Sequence, residues 1–268
     1  MLDLLSPYMV RAYIGVFLTA FISVGGSLAV LRGVTYLPAE ASHAALSGAA
    51  IAIALGYFLG GAVDPFILAV LFSGVTSLLV AVSGRKGESM DAALGGALAF
   101  SLSVYAVARY LIPADLRVIL DGYLVGDLLL LTYRDVAMLM VVVTFGILLL
   151  IIFYHEIIFV CFDSEGAESM GLNVKKYDYL LFFLIGLSGG VASKTMGSLL
   201  VFALVMVPPI VTYRFSKDIP RFLFYTFLLT LSTGFCGLFL AVAIDWPTSG
   251  TISLLTSFIY IVTLVVRR

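Results

Sequence analysis

The chain is a succession of long apolar runs separated by short polar stretches. A bilayer-crossing helix needs about 20 mostly apolar residues, because every backbone amide in hydrocarbon must find its partner within its own helix. Runs of that kind lie near Tyr13–Leu31, Tyr36–Gly60, Pro65–Ser83, Asp91–Ile112, Val136–Phe153, Tyr179–Val191, Leu199–Tyr213, Phe222–Ile244 and Thr251–Val266. The sixth and seventh are short and joined by a stretch rich in glycine (Gly186, Gly189, Gly190, Gly197), so the pattern predicts eight or nine crossings. The expected fold is an all-α polytopic membrane bundle forming one domain over residues 1–268, since no extramembrane segment is long enough for a second. Met1–Val10 has no basic stretch, so the first apolar run is expected to stay as a span rather than act as a cleaved signal.

Composition sharpens this reading. Of 268 residues, 62% are hydrophobic and only 12% charged, about half the charged share of a soluble chain. A soluble domain so composed would leave much of its exterior apolar, which excludes an ordinary cytosolic enzyme, and disorder is excluded by the same figures. A net charge of −1 gives no reason to expect nucleic-acid binding. Cys161 and Cys236 lie far apart, form no CxxC site, and read as small apolar residues.

Lysine and arginine orient the spans, because cytoplasmic loops carry their excess. Strict alternation places Arg32, Arg85, Lys86, Lys175, Lys176, Arg214, Lys217, Arg221, Arg267 and Arg268 inside, ten of the 15 basic residues, with the N-terminus outside and the C-terminus cytoplasmic. The opposite side carries Asp64, Asp115, Asp121, Asp127, Asp135 and Asp245, a mild anionic bias that would concentrate cations; taken singly, each reads as a solvated loop or capping residue.

Candidate chemistry begins in the second span, where Glu40 and His43 stand one helical turn apart. A carboxylate and an imidazole suit divalent ions of the zinc, manganese and iron group, and ionisable residues in a span are functional candidates by default. The alternative is structural, with Glu40 stabilised by the helix N-terminus and His43 bonded to nearby backbone. Ala44, Gly48, Ala52 and Gly56 recur every four residues, a small-residue ridge that lets another helix approach closely. Farther on, Asp163 is placed to cap a short helix with an acidic first turn that Gly171 stops, a rigid knob outside the bilayer suited to a partner's groove. Asp245–Gly250 reads as a turn, with Gly250 supplying unusual dihedrals, and Pro208–Pro209 as a break in the seventh run. Ser188–Thr195 ends like a phosphate-binding loop but has serines at the required glycines and no preceding strand.

Taken in order, several short stretches resemble one family over nearly the whole chain: the membrane permeases of ATP-binding-cassette importers for manganese, zinc and iron. They are Leu31–Gly33 with Ser42–Ala44 and Gly48; Asp91–Ala92 with Gly95 and Phe100–Ser101; Gly126–Leu129; Phe162–Asp163 with Glu165, Ala167 and Gly171–Leu172; Gly197–Leu200 with Ala203–Leu204 and Pro208; and Asp245–Gly250. The resemblance implies a transport subunit rather than an enzyme, working as a homodimer in a prokaryotic plasma membrane. Its implied partners are a cytosolic ATP-binding subunit, an extracytoplasmic metal-binding protein, the second copy and the bilayer. The only metal implied is the transported divalent ion, with no permanent cofactor. It assigns residues 163–171 as a coupling helix, with Asp163, Glu165, Ala167 and Gly171 meeting the ATPase. It places His43 on the metal path, paired in the family with an Asp four residues earlier. Ala39 stands at that position, and Glu40, the nearest carboxylate, is turned by about 100° around the helix. Asp127 stands where the family has Asn. The alternative to an ATP-driven permease is a stand-alone secondary metal-ion transporter.

Overall fold

The computed structural model describes residues 6–60 and 63–266, and among them there is no strand. Local chemistry starts the helices. Ser6, Asp64, Ser89, Thr132, Asp163, Asn173 and Asp218 each accept a hydrogen bond from a backbone N–H in the first turn that follows, and Pro7 and Pro65 sit where a helix has no N–H to lose. The helices are α1 (Pro7–Leu31), α2 (Leu37–Leu59), α3 (Pro65–Arg85), α4 (Met90–Leu111), α5 (Ala114–Leu124), α6 (Tyr133–Ile152), α7 (Tyr154–Phe162), α8 (Ser164–Ser169), α9 (Val174–Met196), α10 (Ser198–Val201), α11 (Val207–Tyr213), α12 (Ile219–Ile244) and α13 (Thr248–Val266). Eight of them, α1–α4, α6, α9, α12 and α13, are long and apolar enough to cross a bilayer, and Ser198–Tyr213 is a shorter ninth apolar segment.

Helix α2 lies at the centre, packed on α3, α4 and α9, while α1, α12 and α13 flank it with α10 and α11 between. Small residues set the close approaches. A Cβ at Gly48 would come within 2.8 Å of the Ala69 Cα on α3, and one at Gly189 within 2.8 Å of the Ala41 Cβ, so only glycine permits either crossing. Ser73 Oγ then ties the three helices, 2.8 Å from the Ala41 carbonyl and 2.7 Å from that of Gly186.

Several expectations are corrected. The sixth span runs from Val174 to Met196 rather than Tyr179 to Val191, because the charges that seemed to bound it are neutralised by other helices. Asp178 accepts from Arg32 Nε at 2.8 Å and Arg85 Nη2 at 3.1 Å, and Lys194 pairs with Asp135. Asp135 is therefore a buried partner, not a solvated loop residue. The prolines do not break the seventh run: Pro208 and Pro209 lie in the first turn of α11, and the irregularity precedes them as a wide π turn over Phe202–Met206. The left-handed residue of the last turn is Asp245 (φ 58°), whereas Gly250 is already helical. Helix α5, missed in the sequence, buries Leu120 and Tyr123 against α2 and α4. Ser188–Thr195 is plain helix within α9.

The two ends of the bundle are held by different contacts. Arg32, Arg85 and Asp178, from three helices, meet at one end. At the other, Asp127 Oδ1 accepts from Thr248 Oγ1 at 2.6 Å and the Gly126 carbonyl from Ser249 Oγ at 3.0 Å. Arg267 and Arg268 lie outside the described residues.

Candidate functional site

The first turns of α2 carry the two ionisable residues singled out by the sequence. Glu40 is 1% exposed, and its neighbours are hydroxyls from two other helices: Ser101 Oγ of α4 lies 3.4 Å from Oε1 and Ser77 Oγ of α3 lies 3.5 Å from Oε2. Among the described residues, no lysine or arginine pairs with this carboxyl group. His43 is half-buried, and its Nδ1 is buried without a hydrogen-bond partner. Among the described residues the two side chains make neither a hydrogen bond nor an ion pair with each other, so the helical offset is real and they meet different neighbours. Ala39, at the position of the missing Asp, is buried and contributes no donor.

Below His43, Ser47 Oγ lies 2.5 Å from the Ser101 carbonyl and 3.0 Å from that of His43, which fixes α2 against α4. Ala44, Gly48 and Ala52 are buried, and Gly56 is half-buried toward the end of the helix. The serines around Glu40 were not anticipated. Their signal was present: Ser73, Thr76 and Ser77 fall at helical spacing i, i+3 and i+4 within an otherwise apolar α3, and Ser101 breaks the apolar course of α4. The buried carboxyl group faces only neutral hydroxyls and the imidazole one turn on keeps an orphaned nitrogen, so each is short of a partner, while among the described residues no three His, Cys, Asp or Glu side chains converge as a metal centre.

The second region is α8, held outside the long helices. Asp163 Oδ1 accepts from the Gly166 N–H at 2.8 Å. At the other end, Gly171 (φ +86°) turns the chain so that the Leu172 N–H reaches the Ala167 carbonyl at 3.0 Å and the Gly171 N–H that of Glu168 at 3.0 Å, the double bond of a glycine-terminated helix. Ala167 is fully buried against Val160 and Val174, which fastens the helix to α7 and α9. Its opposite side offers Glu165 and Glu168, flanked by exposed Phe162 and Met170. The result is an acidic knob with apolar shoulders, mounted on two other helices.

Residues 6–267 match the ABC 3 transport family. Among curated proteins, the chain is 26% identical over 269 residues to the high-affinity zinc uptake system membrane protein ZnuB of Haemophilus influenzae, covering 100% of this chain and 99% of that one. It is 28% identical over 258 residues to the manganese transport system membrane protein MntC of Halalkalibacterium halodurans, covering 93% and 85%. Among solved structures, PsaBC from Streptococcus pneumoniae in complex with Fab superposes with a TM-score of 0.79 at 25% identity, over 96% of this chain and 91% of that one. With a match spanning nearly every residue and a helix bundle of the same architecture, the chain belongs to the ABC 3 transport family.

Proposed function

We propose that this protein is the permease subunit of an importer for a divalent transition metal, zinc, manganese or iron, in the inner membrane of a prokaryote. The observation that carries the substrate class is the buried Glu40 carboxyl group, surrounded by hydroxyls without a cationic partner, beside the orphaned Nδ1 of His43. The named zinc and manganese relatives support the same class. His43 and Glu40 act as a transient coordination point: few ligands hold the ion, so it can leave. The α8 knob docks a cytosolic ATP-binding subunit through its exposed Glu165, with Asp163 and Gly171 shaping its two ends and the buried Ala167 fastening it to the bundle rather than meeting the partner. Closure of that subunit on ATP shifts the helices between discrete arrangements. An extracytoplasmic binding protein delivers the ion to the opposite end, and the C-terminus is cytoplasmic. Two copies pair across α4, which leaves Ala92, Gly96, Ala99 and Ser103 as a strip of small residues open on its outer surface.

The test is one reconstitution with the ATPase and binding protein, measuring hydrolysis against manganese, zinc and iron. At least one metal raises the rate several-fold. His43→Ala removes that increment while the subunits still co-purify, and Glu165→Lys abolishes co-purification while the permease retains its melting temperature. A rate indifferent to all three metals overturns the substrate class. Uptake by the permease alone, driven by a proton or sodium gradient, overturns the coupling.

A further inference from the structure

Between α1, α6 and α9 lies a crevice of about 280 Å³, walled by Gly25 and Leu28 of α1, Gly146 and Leu150 of α6, and Leu181 and Ser188 of α9. Glycines in spanning helices ordinarily let neighbouring backbones close up, as at Gly26, where a Cβ would strike the Val205 carbonyl oxygen. At Gly25 and Gly146 the opposite holds, and a Cβ built on either would meet nothing within 4 Å. The crevice offers nothing to water. The hydroxyl of Ser188 is committed to the Ile185 carbonyl at 3.0 Å, and the rest of the wall is apolar. Its rim includes Phe145, which is 50% exposed, so it opens sideways onto the surface that faces lipid. A void left empty there would forfeit the dispersion contacts of its whole lining.

One charged group lies beyond an end of this crevice, across two rings that pack in the same apolar cluster as Leu28, Leu150, Ile157 and Leu181 of its wall. Leu150 is followed one turn later by Phe153, and Leu181 is preceded by Tyr177. Over those two rings lies the Lys176 ammonium, 5.5 Å from the first centroid and 5.7 Å from the second. Lys176 is exposed and forms no ion pair among the described residues, whereas nearby Arg32 is engaged by Asp178. An apolar slot with a cation that lacks an ion-pair partner beyond one end has the polarity of an anionic phospholipid, chain inward and phosphate toward the ammonium. Basic pockets between membrane helices on the cytoplasmic side select such lipids.

We propose that this crevice is a lipid site: one acyl chain of an anionic phospholipid fills the gap between Gly25 and Gly146, and its phosphate rests on Lys176. The lipid acts as a removable wedge that completes the packing of α6 against α1 and α9.

Native mass spectrometry of the purified protein with added dioleoyl-phosphatidylglycerol or dioleoyl-phosphatidylcholine tests this. One phosphatidylglycerol per chain is retained about fivefold better than phosphatidylcholine. Lys176→Ala, at an exposed position in the first turn of α9, brings retention of the anionic lipid down to that of the neutral one. Gly146→Phe, which fills the slot, expels both. Equal retention of the two lipids, or an unchanged preference in Lys176→Ala, overturns the site. So does loss of a dimer with retained lipid in Gly146→Phe, an outcome that would give the face to a second copy of the chain.

Discussion

Asp178 holds two guanidinium groups on one carboxylate while being only 2% exposed. Removing its charge leaves Arg32 and Arg85 facing each other without a counter-ion, and the Arg85 Nε already lacks a partner. Breaking a buried pair by deleting one member costs more than the pair contributes, because the remaining charge stays desolvated. Asp178→Asn therefore lowers stability by about 2–3 kcal/mol, read as a fall in melting temperature in detergent. Asp218→Asn, which removes the carboxylate of an exposed pair with Arg221, changes it by less than about 0.5 kcal/mol. Equal effects from both would contradict this account. The same residues mark the limit of what the sequence discloses. Glu40 and His43 stand out as ionisable groups in an apolar run, but that Asp178 and Lys194 lie inside a span depends on partners on other helices, 146 and 59 positions away. Asp127 reads from the sequence as a loop or capping residue and does accept from the Leu129 N–H, but its second bond, accepted from Thr248 Oγ1 121 positions on, has no local signal.

At the level of helices, close approaches and gaps can be distinguished by neighbouring glycines on a single element. Gly26 of α1 abuts the Val205 carbonyl within the π turn, while Gly25 faces open space. Alanine at position 26 must push α1 away from that turn, at about 1–3 kcal/mol for an overpacked contact. Alanine at position 25 is neutral or stabilising by about 0.5–1 kcal/mol, since glycine within a helix is intrinsically unfavourable. Thermal melts of the two variants check the contrast, and similar losses at both positions would refute it. The π turn itself is served from outside: the Leu204 carbonyl receives the Thr230 hydroxyl at 3.4 Å, and Thr212 and Thr226 share a hydrogen bond at 2.7 Å between α11 and α12. Apolar run length disclosed the number and order of the long helices. It did not disclose this turn or α5, because Phe202–Met206 is as apolar as any regular helix and α5 is too short to register as a run.

For the whole molecule, the arrangement of the two ends is testable without any substrate. The native thiols are silent toward a membrane-impermeant maleimide. Burial, opposed in part by Arg32, pushes the Cys161 thiol up to about 12, and Cys236, exposed on the outer surface of the bundle, lies midway along the apolar α12, where lipid covers it in a membrane. A cysteine placed at Ser169 on α8 is then labelled in inside-out vesicles and spared in right-side-out ones, while one placed at Asp115 on α5 gives the reverse pattern. Labelling of both from the same side would refute the alternating path. Helix α9 links those two ends. It is pinned by charge near each, through Asp178 to α1 and α3 and through Lys194 to α6, the two pins 16 positions, or about 24 Å of helix, apart. A rod anchored in this way cannot slide along its own axis without tearing one anchor loose, but it can swivel about both. If the bundle changes shape, α9 is the axle, and the neighbours not fastened to it are the parts that swing.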